Sequence, residues 1–141
     1  MHRNGEHYPD PTFDEVYRNI CRDKWMIESS EKYVPWVYIA SPYRGDIMRN
    51  TENARRYAAF AVRQNKVPLC PHIYFTQFLD DSNEYERNQG LNLALQMLKR
   101  CKEIWVFGET ISSGMKNEIR MAQRWNIPIK YFNKNCEVIK Q

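Results

Sequence analysis

Short runs of β-branched and aromatic residues alternate along this chain with segments of helical periodicity, and that alternation restricts the fold more than any other feature. The runs are Val34–Ala40, Val67–His72, Ile104–Phe107 and Ile127–Phe132. Between them, Asn50–Asn65 carries Ala54, Tyr57, Ala58, Ala61 and Val62 on one helical face. Leu91, Ala94, Leu95 and Leu98 mark a second helix, and Ser113–Trp125 a third. The stretch "YFTQFLDDSNEYER" follows neither period and reads as a long irregular connection. Strand and helix in turn give an α/β chain with a parallel sheet covered on both faces.

Ahead of this alternation stands a segment of another kind. "MHRNGEHYPD" is polar and contains Gly and Pro, as a loose tail would. Thr12 then offers an N-cap with Glu15 three residues later, a capping box. Phe13, Val16, Tyr17 and Ile20 follow at helical spacing. The expected organisation is therefore a tail with an appended amphipathic helix over residues 1–32, and one α/β domain over 33–141. The 141 residues, 43% of them hydrophobic, suffice for a single core. A net charge of +4 without any Lys/Arg block predicts no specific DNA binding. Cys21, Cys70, Cys101 and Cys136 match no metal or redox spacing, and Cys70 and Cys101 read as buried thiols. No metal site is expected. No stretch is apolar enough to cross a bilayer and no signal peptide opens the chain, so a reducing cytoplasm is the expected compartment.

In open parallel sheets, ligands lie beyond the carboxyl ends of the strands. Three loops fall there. After the first strand comes "SPYRGD", with Ser41, Tyr43, Arg44 and Gly45. It is either a turn with a surface arginine or a phosphate grip, in which Arg44 supplies a planar fork and Gly45 a tight turn. After the second strand, "HIYFTQFLDD" places His72, Tyr74, Phe75 and Phe78 either in the core or around a planar base. Asp80 and Asp81 at its end are either a solvated N-cap or a source of a general acid. After the third strand, Ser112, Ser113 and Gly114 open a helix whose free N–H groups and dipole favour an anion. On that helix Met115, Ile119 and Ala122 form the inward stripe, and Glu118 lies along the same side. A carboxylate there is costly unless something uses it. It is either a dipole-stabilised edge residue or a nucleophile.

"VYIASPYRGD" and "SSGMKNEIRMA" together resemble the opening strand, substrate loop and nucleophile helix of the nucleoside 2-deoxyribosyltransferase-like superfamily. "CKEIWVFGETISSGM" also resembles a less characterised branch carried by phages and their hosts. The resemblance spans about Val34 to Phe132 and excludes the N-terminal helix. It implies a flavodoxin or Rossmann-like three-layer sandwich. It also implies cleavage or transfer of an N-glycosidic bond, in which a glutamate attacks the anomeric carbon and water or a second base resolves the ester. Glu118 falls on the nucleophile position and Tyr43 where substrate is contacted. Ser41, Arg44, Gly45 and Ser113 fall where relatives acting on deoxynucleoside monophosphates hold the phosphate. One departure stands out: where the superfamily carries a helix aspartate before the third strand, this chain has Leu93, Ala94 and Leu95. Asp80 or Asp81 would have to substitute for it.

Two readings follow. One is a nucleotide or deoxynucleoside N-glycosidase or deoxyribosyltransferase, needing no cofactor and acting as a homo-oligomer, with Glu118, Asp80, Asp81 and Tyr43 in the chemistry. Ser41, Arg44, Gly45, His72, Phe75, Ser112, Ser113 and Gly114 would hold the ligand. The other is a nucleotide-binding module that senses or sequesters its ligand on the same fold.

Overall fold

The central strand β1 (Trp36–Ala40) is buried along all but its first residue, because both sheet faces are covered there. The computed structural model describes residues 12–139, so the expected loose tail at residues 1–10 lies outside the described residues. β1 pairs in parallel with β2 (Val67–Leu69) on one side and β3 (Glu103–Phe107) on the other. β3 pairs in parallel with β4 (Ile129–Phe132), giving the order β2-β1-β3-β4. The architecture is α/β with a four-stranded parallel sheet flanked by helices, of the flavodoxin-like kind.

Strand alternation sorts the core into two halves. Tyr38, Ala40, Ile104 and Val106 face one way, packed with Leu98 of α4 (Glu84–Lys99) and with Met115 and Ala122 of α5 (Ser113–Arg124). Val37, Ile39, Trp105 and Phe107 face the other way, packed with Tyr57 and Ala61 of α2 (Ile47–Arg63) and with Phe132. This second half is aromatic: Phe107 stacks between Tyr57 at 4.2 Å and Phe132 at 4.9 Å between ring centroids. On α2, Ala54, Tyr57 and Ala61 are buried as the helical face predicts, whereas Val62 is exposed.

The structure differs from the sequence reading mainly between residues 67 and 87. The second strand ends at Leu69 rather than His72. Pro71 occupies the first position of a short helix, α3 (Pro71–Tyr74), where its missing N–H costs nothing. A 3₁₀ turn over Phe75–Gln77 follows. The expected irregular connection is thus half helical, and α4 starts at Glu84, with the Asn83 side chain accepting from the Glu86 N–H. α2 likewise starts earlier than expected, at Ile47, because Asp46 caps it by accepting from the Arg49 N–H. Cys101 is buried, while Cys70 is only partly so.

The chain divides between Tyr33 and Val34 into two units. In the first, α1 (Phe13–Glu31) carries the expected capping box: the Glu15 N–H donates to Thr12 Oγ1 and the Thr12 N–H to Glu15 Oε2. No residue of α1 is buried. Among the described residues, no helix is long and apolar enough to cross a membrane.

Phe107 is fully buried between two stacked rings. Phe107→Ala is expected to lower stability by about 3–5 kcal/mol in urea denaturation, with an unchanged slope.

Candidate active site

Because the strands run in parallel, the segments that follow β1, β2 and β3 emerge at one rim of the sheet. Two adjoining cavities open there. One, of about 240 Å³, is rich in hydroxyls and guanidinium groups: Ser41, Arg44, Arg87, Ser112 and Ser113 line it. The other, of about 90 Å³, is mostly apolar and aromatic, with Phe75, Leu79 and Ala94 in its wall. Tyr43, His72, Asp81, Arg87, Leu91 and Glu118 line both.

Glu118 occupies that shared wall from the second turn of α5. Its carboxyl is enclosed although the residue keeps some exposure, and burial pushes it up to about 7. The Tyr38 hydroxyl donates to its Oε1 over 3.1 Å, which favours the ionised form and limits the rise. Tyr38 itself is raised, first by burial and then by the neighbouring Glu118. By sequence pattern alone Tyr38 is a strand residue. The signal was nonetheless there, since a tyrosine on a fully buried strand needs a partner for its hydroxyl.

Behind this pair lies a neutral histidine. His72 Nε2 and Ser41 Oγ are hydrogen-bonded over 3.2 Å. Cys70 Sγ sits 3.6 Å from His72 Nε2. Burial pushes His72 down to about 4, so its ring is uncharged at neutral pH. Burial also pushes the Cys70 thiol up to about 12, which keeps it protonated and unreactive. Tyr43 tilts against the His72 ring at 5.9 Å.

The substrate-loop candidates separate by role. Asn50 at the start of α2 donates to the carbonyls of Tyr43 and Arg44, both over 3.0 Å, and so fixes the loop's course. Gly45 has φ +98° with nothing near its absent side chain. It makes the turn and lines neither cavity. Ser112 spends its hydroxyl as the N-cap of α5, accepting from the Met115 N–H over 3.2 Å. Ser113 and Gly114 face the polar cavity beside it.

The two aspartates part company. Asp80 is fully exposed and accepts from the Ser82 hydroxyl and N–H. Those bonds hold its carboxyl below the usual range, and it lines neither cavity. Asp81 lines both, and its Oδ2 accepts from Arg44 Nε over 3.1 Å. In the "HIYFTQFLDD" segment, Phe75 reaches the apolar cavity, while Tyr74 and Phe78 are exposed.

Arg87 lies in both cavity walls and was absent from the sequence candidates. Its signal was the Asn83–Glu86 capping pattern, which starts α4 early enough to set Arg87, Leu91 and Ala94 on one helical face.

The Glu118 environment has a consequence for stability. An unfolded chain releases this proton near the ordinary carboxyl pKa, whereas the folded chain keeps it to about 7. The group therefore favours folding below the ordinary value and loses that advantage as pH rises through 7. Glu118→Gln is expected to gain on the parent protein between pH 5 and pH 8, by up to about 3 kcal/mol. Parallel urea titrations across that range test it; a constant difference would mean that Glu118 titrates normally.

Residues 35–132 match a family model described as "Domain of unknown function (DUF7768)". No curated protein matches the chain. Among solved structures, it is similar to a 2-deoxyribosyltransferase from the psychrotolerant bacterium Bacillus psychrosaccharolyticus. The TM-score is 0.54 and the identity 15%, over 74% of this chain and 76% of that one. At that identity the likeness is one of fold.

Proposed function

This chain belongs to the DUF7768 family, and we propose that it acts on a nucleotide or deoxynucleoside, breaking the N-glycosidic bond through Glu118. The observation that carries this reading is the position of Glu118 in a wall shared by an apolar, aromatic cavity and a polar, cationic one. A nucleoside monophosphate has that order of parts. Its base suits Phe75 and Leu79, its phosphate suits Arg44, Arg87 and Ser113, and its sugar then spans the carboxyl between them. The fold shared with a 2-deoxyribosyltransferase is consistent with this reading.

In the proposed reaction, an oxygen of ionised Glu118 bonds to the anomeric carbon as the carbon–nitrogen bond breaks. The bonding pair leaves with the base, which takes up a proton, with Asp81 as the candidate general acid. Water or a second base then attacks the glycosyl ester and frees the carboxylate. Tyr38 keeps the nucleophile oriented and lowers its proton affinity. Tyr43 and the neutral His72 position the ligand between the two cavities.

A second reading, binding without turnover, is favoured by α4. Where the superfamily resembled by the sequence has an aspartate, Leu93 is exposed and Ala94 lines the apolar cavity.

Glu118→Gln is expected to reduce base release from deoxynucleoside monophosphates by on the order of 10⁴-fold, with ligand affinity nearly unchanged in calorimetry. Undiminished release would remove Glu118 from the chemistry. If the parent protein releases no base from any nucleotide, binding without turnover becomes the better reading.

The same carboxyl sets the pH dependence. Activity should rise with pH through about 7 as Glu118 ionises. Tyr38→Phe removes the hydrogen bond that favours the anion, so the rising limb should move to higher pH. A lower plateau with an unmoved limb would assign Tyr38 a packing role only.

A further inference from the structure

The Arg44–Asp81 pair joins two segments that line the polar cavity. Arg44 Nε donates to Asp81 Oδ2 over 3.1 Å, and Arg44 Nη2 reaches the Asp81 backbone carbonyl over 3.4 Å. The first residue comes from the loop after β1 and the second from the segment after β2. Both side chains line the cavity that holds Ser113, Gly114 and Arg87, and both keep substantial exposure. A carboxylate thus already occupies part of the guanidinium fork that a phosphate would use.

We propose that Asp81 is a specificity-determining residue that holds Arg44 as a stand-in for phosphate and yields it only to a doubly charged phosphate monoester. The inference rests on the phosphate end of the reading above and adds the competition to it. Phosphate oxygens and a carboxylate contend for the same planar donors, and they repel each other at close range. An uncharged nucleoside gains nothing by opening the pair. A phosphate monoester replaces one carboxylate with a dianion that also meets Arg87 and the N–H groups at the start of α5.

Four proteins test this: the parent, Asp81→Asn, Arg44→Ala and the double variant. Each is titrated calorimetrically with inorganic phosphate, with the four common deoxynucleoside 5′-monophosphates and with the matching nucleosides. Melting curves confirm that each variant is folded. Asp81→Asn is expected to tighten the phosphorylated ligands about five- to tenfold, leave nucleosides unchanged, and lose its gain when Arg44 is also alanine. An equal gain in the Arg44→Ala background would show general charge repulsion rather than competition for Arg44 and would overturn the proposal. So would no gain, or weaker binding, in Asp81→Asn alone. Because binding is the readout, failure of glycosidic cleavage leaves the result interpretable. Absence of phosphate binding in all four proteins would overturn both the competition and the phosphate end of the site.

Discussion

The arrangement of the site depends on one hydrogen bond, from the Tyr38 hydroxyl to the Glu118 carboxyl. An ionised carboxyl enclosed by protein is unfavourable without a donor, and β1 supplies that donor from the centre of the sheet. The bond therefore ties the second turn of α5 to a strand buried along all but its first residue. It leaves Glu118 near the midpoint of its titration at neutral pH, between a structural acid and a reactive anion. The proposed role as nucleophile needs that balance. Too little burial would leave it solvated and unreactive, and too much would keep it protonated.

Around this bond the site divides by polarity. Loops at the carboxyl ends of β1 and β3 contribute hydroxyls, a guanidinium and a helix start, while α3, its 3₁₀ turn and α4 contribute aromatic and aliphatic walls, with Arg87 of α4 reaching both cavities. The division comes from topology. β1 lies between β2 and β3, so its trailing loop meets an apolar segment on one side and a helix N-terminus on the other. His72 belongs to the same logic. Buried against Ser41 and Cys70, it stays neutral and adds no charge that would compete with Arg44 or Arg87 for an anion.

The sheet was legible because its information is local. Runs such as "VYIA" and "IWVF" can hardly be anything but buried strands, and the Met115, Ile119, Ala122 spacing fixes which side of α5 turns inward. The candidate residues Tyr43, Arg44, His72, Phe75 and Ser113 could also be picked out, since each follows a strand, and Glu118 because it shares the inward side of α5. The boundary at Leu69 was not legible. "CPHIY" carries apolar residues that suit a strand, and the choice of helix depends on Pro71 starting a turn that packs under the cavity. The start of α4, and with it the placing of Arg87, depends in turn on the Asn83 cap.

By itself, then, the sequence determined the order of elements, the parallel sheet, the rim at which the three loops gather and the inward direction of Glu118. These follow from periodicity and from the chain's own connectivity. Only the tertiary structure decided which polar groups meet. Tyr38 and Glu118 are 80 positions apart, and Arg44 and Asp81 are 37 apart. No local pattern records such pairings, because a hydroxyl or guanidinium gains a specific partner only after the sheet has closed and its alternatives in water are gone. The choice between Asp80 and Asp81 has the same origin. The two are neighbours with identical chemistry, and the turn at Ser82 sends one carboxyl to solvent and the other to the cavity.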